Sequence, residues 1–461
     1  MDTVIHYMPL IMFGVLAVVL FSGYPVAFIL GGIALAFAAL GDWAGVFRLD
    51  QIQLVPLRIY GGTMASLVLV AIPMFTFMGT MLEKSGVATD LLEALQVMMR
   101  RVPGGLALSV TLMGTIMAAT TGIIGASVVM MTLMALPVML KANYSVPLAT
   151  GTIAASGTLG ILIPPSIMLV IMSDLLSVPV GTVFIAAVVP GFLLAGLYTV
   201  YIFLLCRWKP QFAPPMAEDA GPSTRVEFWK MIFRSFVPPI ALIVAVLGSI
   251  FAGIATPTEA SGVGAAGSVV LAWFNGRLTW ATMKDVCQRS ALTGAMLFGI
   301  FVGATAFSFV FKGIGGEELI VEFIQNSSAG PWSILFVLMA MVFALGFFFD
   351  WIEITLIVLP IFAPIVALLD FGGHVGVWDG VSNPIVIWFL ILVAVNLQTS
   401  FLTPPFGFAL FYLKGVAPPE VKIQQIYKGI IPFVGLQVFG LLLAVLFPAL
   451  VLWLPSYVLG G

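Results

Sequence analysis

The sequence predicts an all-α polytopic membrane protein made of two inverted repeats, and three observations carry that reading. Of its 461 residues, 61% are hydrophobic and only 8% are charged, against about 25% charged in a soluble globular chain. The apolar residues gather in runs at 8–22, 24–40, 64–82, 104–140, 146–177 and 181–206, and again at 231–253, 258–275, 290–312, 331–369, 385–413 and 426–453. One run in each series is interrupted in the same manner. Hydroxyl residues, glycines and a Pro-Pro pair occupy 156–166 (Pro164, Pro165) and 396–407 (Pro404, Pro405).

A single crossing takes about 20 apolar residues, which assigns one span to most runs. The runs 104–140 and 331–369 are too long for one crossing and too short for two. A re-entrant helical hairpin, entering and leaving on one side, fits both. Each hairpin is followed by its broken helix, 146–177 or 385–413. The first repeat is therefore 1–206, the second 231–461, and 207–230 is a solvated linker holding Pro210, Pro214, Pro215, Glu218, Asp219 and Pro222. Landmarks follow in the same order in both halves. Gly23-Tyr24-Pro25 answers Ala255-Thr256-Pro257, Leu136-Pro137 answers Leu359-Pro360, and the Pro-Pro breaks come next.

Five crossings plus one hairpin per half make the repeats inverted, and charge orients them. With the linker in the cytoplasm, all 18 basic residues except Arg48, Arg58 and Lys312 fall on the inner side, as the positive-inside rule requires. Glu317, Glu318, Glu322, Asp370 and Asp379 then cluster outside, and both termini are periplasmic. The first hairpin opens from the cytoplasm and the second from the periplasm. The N-terminus carries Asp2 and no early Lys or Arg, so its apolar run reads as a retained span and not a cleaved signal. The amphipathic stretches 87–101 and 317–325 read as helices lying in the interface plane.

Several function classes drop out. The net charge of −2 is dispersed, so nothing points to nucleic acid. His6 and His374 are the sole histidines and both sit in outer segments, leaving no His-based triad or His-rich metal site. No GxxxxGK[ST] run binds a nucleotide, so the chain is not an enzyme, and an ion gradient or a partner must supply energy. Cys206 and Cys287 imply no disulfide framework.

Backbone freed from helical bonding in lipid survives only where it lines a protein-enclosed cavity, and paired breaks in two halves mark a transporter's binding site. Folding the repeats together brings both hairpin tips, near 118–127 and 346–355, to the two breaks. Half-helix N-termini there offer N–H groups to an anion, while freed carbonyls and the oxygens of Thr, Ser and Asn suit Na⁺. Three acids are assigned to spanning segments: Asp350, Glu353 and Glu259. Such acids are functional candidates. Their alternative roles are a hairpin cap for Asp350, a boundary position for Glu353, and pairing between scaffold helices for Glu259. Thr158, Gln398, Thr399 and Thr403 flank the breaks and are ligand candidates, with bonding to their own helices as the alternative. The small residues at 262–267 and the aromatic series 347–351 read as packing.

On Gly23–Phe28, Ala71-Ile72-Pro73-Met74-Phe75, Arg101-Val102-Pro103-Gly104-Gly105 and the two break motifs, the sequence resembles the large membrane subunit of tripartite ATP-independent periplasmic (TRAP) transporters. Residues 406–414 resemble the branch labelled mannitol/chloroaromatic. The resemblance implies an elevator-type transporter of the ion transporter superfamily in the bacterial inner membrane. It implies a small four-helix membrane subunit and a periplasmic substrate-binding protein as partners, and Na⁺-coupled import of an organic acid without an organic cofactor. It places sodium at Thr121, Gly122 and Gly125 with Thr158 and Gly160, and at Gly346 and Asp350 with Gln398 and Thr403. The first tip reads Thr120-Thr121-Gly122-Ile123-Ile124-Gly125 where many members have a Ser-Gly-Ser sequence, which leaves backbone carbonyls as its donors. Ser156, Ser166, Asn396, Thr399 and Ser400 are the positions assigned to substrate. Two other readings stand beside this one: a self-sufficient Na⁺/organic anion symporter of the same superfamily, and a channel or structural subunit.

Overall fold

The computed structural model describes residues 2–122, 124–214, 224–326, 330–404 and 407–460. Every regular element among them is helical. In the first half α1 (Asp2–His6) and α2 (Met8–Leu20) lead to α3 (Val26–Trp43). An irregular stretch containing α4 (Val55–Ile59) follows, and Leu49–Met64 bends by 63° into the segment that holds α5 (Ala71–Lys84). Next come α6 (Val87–Met99), α7 (Gly105–Thr121), α8 (Ile124–Lys141), α9 (Val146–Thr158), α10 (Ile167–Leu175) and α11 (Val180–Trp208). The second half runs α12 (Arg225–Phe251), α13 (Pro257–Phe274), α14 (Trp280–Gly313), α15 (Gly316–Asn326), α16 (Pro331–Leu345), α17 (Trp351–Ala367), α18 (Pro384–Leu402), α19 (Phe408–Val416), α20 (Ile423–Leu446) and α21 (Ala449–Leu459). Among the described residues seven helices are long and apolar enough to cross a membrane, and the bent pair makes eight.

Proline and glycine set the breaks. Pro25 stands at the N-cap of α3 and Pro257 opens α13, each after a left-handed glycine, Gly23 (φ 77°) or Gly253 (φ 68°). Proline fixes φ and lacks an N–H, so it starts helices well and continues them poorly. Gly122 (φ 60°) turns α7 into α8. The two arms run antiparallel, because a Cβ placed on Gly114 would touch Met131 of the opposite arm at 2.9 Å. A Cβ there would also meet Ser156 of α9 at 2.7 Å, so both arms and the first broken helix are in close contact.

The two halves exchange partners symmetrically. α3 packs on α14 as α13 packs on α5, and α5 and α14 pack on each other. Each hairpin's second arm also reaches across: α8 packs on α19, and α17 packs on α10. α9 and α20 approach backbone to backbone. A Cβ on Gly151 would strike the Gly429 carbonyl, and one on Gly429 would strike the Pro147 carbonyl. Small residues permit such crossings where no hydrophobic difference between lipid and side chain drives association.

Polar contacts fall into two groups. Lys84 pairs with Asp285 at 2.9 Å, Asp285 with Arg289 at 3.0 Å, and Asn275 Nδ2 donates to the Ser85 carbonyl at 3.2 Å. These basic residues are the ones the charge rule places inside. The expected outer residues likewise meet one another, His6 with Glu322 at 3.6 Å and Lys312 with Glu317 at 2.5 Å.

Some boundaries differ from the apolar runs, each for a local reason. α12 begins at Arg225 and not at 231, because Thr224 Oγ1 accepts the Glu227 N–H at 3.3 Å and caps the helix. Part of the expected linker, 215–223 with Pro215, Glu218, Asp219 and Pro222, lies outside the described residues. α14 begins at Trp280 under a Thr279 cap and extends well below the apolar run. The last run divides at Phe447 and Pro448, so α21 is a separate helix packed on α11. α6 buries Val87, Ala88, Leu91, Leu92 and Leu95 and exposes Asp90 and Glu93, a helical stripe against α7 and α12.

Candidate functional site

The first break is entirely buried. α9 tightens through a 3₁₀ turn at Leu159–Ile161, Pro164-Pro165 follows, and extended Ser166 opens α10. The second is alike: α18 ends at Leu402, Thr403 is extended, and α19 starts after Gly407. Pro405 and Phe406 lie outside the described residues.

The breaks meet through two side chains. Gln398 Nε2 donates to Thr158 Oγ1 at 3.3 Å, joining residues 240 apart, the spacing of the two Pro-Pro pairs. Thr158 commits its own proton to the Ala155 carbonyl at 2.9 Å. Gln398 Oε1 is buried and has no hydrogen-bond partner. A buried carbonyl oxygen left bare costs about 1–3 kcal/mol, and a water or an ion would relieve that cost.

The surrounding hydroxyls share one habit. Ser166 donates to the Ile161 carbonyl (2.6 Å), Thr399 to Val395 (3.0 Å), Ser400 to Leu397 (2.8 Å) and Thr403 to Thr399 (2.8 Å). Ser156 donates to Thr111 Oγ1 at 3.4 Å, and Asn396 Nδ2 to the Met339 carbonyl at 2.7 Å, tying α18 to α16. A hydroxyl whose proton is committed presents only lone pairs. The alternative of bonding to their own helices is thus realised for Thr158, Thr399 and Thr403 but not for Gln398, and each hydroxyl oxygen keeps its acceptor lone pairs. Ser156, Ser166, Thr399 and Ser400 have their single hydroxyl protons committed in this geometry, while Asn396 spends one of its two amide N–H donors on Met339. The donor set is hydroxyl, amide and carbonyl oxygen, which suits a hard cation.

Glycines form the tips. A Cβ on Gly122 would approach Ile167 Cγ1 at 3.1 Å, and one on Gly125 would press on the Tyr412 ring at 3.1 Å. At Gly346 it would collide with Ser400 Oγ. Gly160 is buried in the 3₁₀ turn. The side chain of Thr121 and residue Ile123 lie outside the described residues.

Asp350 caps α17, accepting the Trp351 N–H at 2.8 Å. Glu353, one turn on, is only 5% exposed, and its Oε2 has no partner. Thr355 Oγ1 is equally bare. Glu259 is exposed and forms a capping box, accepting from the Thr256 N–H and hydroxyl at 2.8 Å each. Among the described residues it forms no ion pair between helices. A further acid inside the run 146–177 escaped the sequence reading: half-buried Asp174, which accepts from Ser66 Oγ at 2.8 Å. The rule that flagged Asp350 flags it too. Tyr412 was also missed. It covers Gly125, and only the crossing of α19 onto α8 brings it there. Open grooves lie elsewhere, one lined by Val87, Asp90, Arg234, Ser235 and Leu271, another by Val68, Asp174, Pro179 and Pro257.

Comparison with known proteins gives a consistent answer. Residues 13–450 match the family model described as tripartite ATP-independent periplasmic transporter, DctM component. The C4-dicarboxylate TRAP transporter large permease protein DctM of Rhodobacter capsulatus is 30% identical over 464 residues, covering 97% of this chain and 98% of that one. The sialic acid TRAP transporter large permease protein SiaM of Vibrio cholerae serotype O1 is 25% identical over 96% of this chain and 97% of its own. In fold, the chain is similar to the YdaH transporter of Alcanivorax borkumensis, with a TM-score of 0.56 and 14% identity over 88% and 89% of the two chains. With a family match over nearly its whole length, and two broken helices touching across its halves, the chain belongs to the DctM family of TRAP transporter large permeases.

Proposed function

We propose that this permease imports a small organic acid across the bacterial inner membrane, with Na⁺ as the coupling ion, by moving both hairpins and both broken helices as one body against the remaining helices. The observation that carries the reading is the Gln398–Thr158 contact, with a bare carbonyl oxygen among hydroxyls whose protons are committed. Na⁺ is held by Thr121, Gly122, Gly125, Thr158 and Gly160 at the first tip, and by Gly346, Asp350, Gln398 and Thr403 at the second. The carboxylate binds beside Ser156, Ser166, Asn396, Thr399 and Ser400. Acceptor lone pairs repel a carboxylate, so the anion enters well only after a cation has filled the locus, with the N-termini of α10 and α19 adding favourable dipoles. Ordered binding of this kind couples the two fluxes.

A small four-helix membrane subunit and a periplasmic binding protein complete the transporter, and both termini are periplasmic. The grouping of His6 with Glu322 supports that orientation. The two similar permeases bear the names of different cargoes, C4-dicarboxylate and sialic acid, so cargo choice belongs largely to the binding protein.

Uptake into proteoliposomes tests this. The chain with its small subunit and loaded binding protein, offered a panel of radiolabelled carboxylates, is expected to accumulate one of them only under an inward Na⁺ gradient. Accumulation by this chain alone would instead favour the self-sufficient symporter. Flux indifferent to Na⁺ and membrane potential would favour the channel.

A further inference from the structure

A groove between α6, α12 and α13 lies apart from the two broken helices. Its walls are apolar, with Val87, Pro238, Leu271 and Phe274, and its rim carries one charge of each sign, Asp90 and Arg234. Both charged side chains are exposed, and among the described residues neither forms an ion pair. The groove lies beside Asn275, which bonds the Ser85 carbonyl next to the Lys84–Asp285–Arg289 cluster, so it sits at the end of the bundle that the charge rule places at the cytoplasmic interface.

The lining helix adds a second feature. Pro238 and Pro239 lie inside α12 and have no N–H to give. The carbonyls of Arg234 and Ser235, whose helical donors they would have been, are left without those bonds. Both residues line the groove. The site therefore offers a guanidinium, a carboxylate and two carbonyls deprived of helical donors, above an apolar floor.

We propose that this groove binds one phospholipid with a primary-amine zwitterionic headgroup, of the phosphatidylethanolamine type. Arg234 meets the phosphate in a charge-assisted contact. The ammonium meets Asp90 and donates its remaining N–H groups to the two carbonyls. The acyl chains run over Leu271 and Phe274. A choline headgroup has no N–H for the carbonyls, and a purely anionic headgroup places nothing positive beside Asp90. Charge complementarity thus selects one lipid class over the two common alternatives.

The test uses the full chain reconstituted in nanodiscs of phosphatidylethanolamine, phosphatidylcholine and phosphatidylglycerol in equal parts, then stripped with detergent, with retained lipid counted by native mass spectrometry. Selective retention of phosphatidylethanolamine is expected. Arg234→Gln and Asp90→Asn should each lower it about tenfold, the loss of one charge-assisted bond, while Arg234→Lys keeps most of it. Because both side chains are exposed, the fold should survive; an unchanged melting temperature verifies this. Equal retention of the three lipids, wild-type retention in both charge-removing variants, or a crosslink showing a helix of the small subunit filling the groove would overturn the proposal.

Discussion

Gln398→Leu is expected to leave the chain folded and at least as stable as the wild type, while raising the Na⁺ concentration for half-maximal uptake by roughly ten- to a hundredfold. The two halves of that outcome have separate physical causes. Gln398 Oε1 is buried without a partner, so an apolar side chain of similar size removes an unmet desolvation cost and sacrifices one modest 3.3 Å bond to Thr158. Replacing a buried unsatisfied group in this way is close to neutral or stabilising. The same oxygen, set against a cation, contributes a bond to a charged group of about 1.5–3 kcal/mol, which is the expected loss of Na⁺ affinity. Thr158→Val removes the other half of the contact and should act in the same direction. A Gln398→Leu protein that melts early with unaltered Na⁺ dependence would assign Gln398 a structural role.

Glu353→Met is expected to stabilise the protein by about 1–3 kcal/mol and to depress transport severely. Glu353 is buried, its Oε2 lacks a partner, and Asp350 stands one helical turn away on the same hairpin arm. A carboxyl in such a place is costly, and exchange for an apolar residue of similar volume commonly increases stability. Retaining an arrangement that weakens the fold is typical of functional sites, where stability and activity oppose each other. Equilibrium unfolding in detergent and uptake in proteoliposomes measure the two effects. Loss of stability with intact transport would make Glu353 a packing element of the α10–α17 contact.

Much of this arrangement was legible in the chain because proline and run length act locally. Pro164-Pro165 and Pro404-Pro405 cannot continue a helix, and Gly122 can turn left-handed where the run 104–140 had to fold back. Helix ends were less legible. Thr224 and Thr279 begin α12 and α14 ahead of the apolar residues, since a capped polar turn can precede the membrane-embedded segment. What crosses between the halves was hidden. Tyr412 over Gly125 and α17 on α10 depend on tertiary packing, as does Ser66 on Asp174 within the first half. The direction of each hydroxyl proton was equally invisible: Thr399 and Ser400 donate to their own helix, and that choice leaves these candidate anion donors presenting acceptor lone pairs.

The proposed Na⁺ site lies where two broken helices, one from each half, meet. Its most direct test is the melting temperature of the purified chain titrated with NaCl, against KCl at equal ionic strength, in wild type and Gln398→Leu. A ligand bound only by the folded state stabilises it by RT ln(1 + [L]/Kd). The predicted result is a saturable, Na⁺-specific rise in wild type that disappears in the variant. Identical curves in NaCl and KCl for the wild type, or an undiminished Na⁺-specific rise in Gln398→Leu, would contradict it.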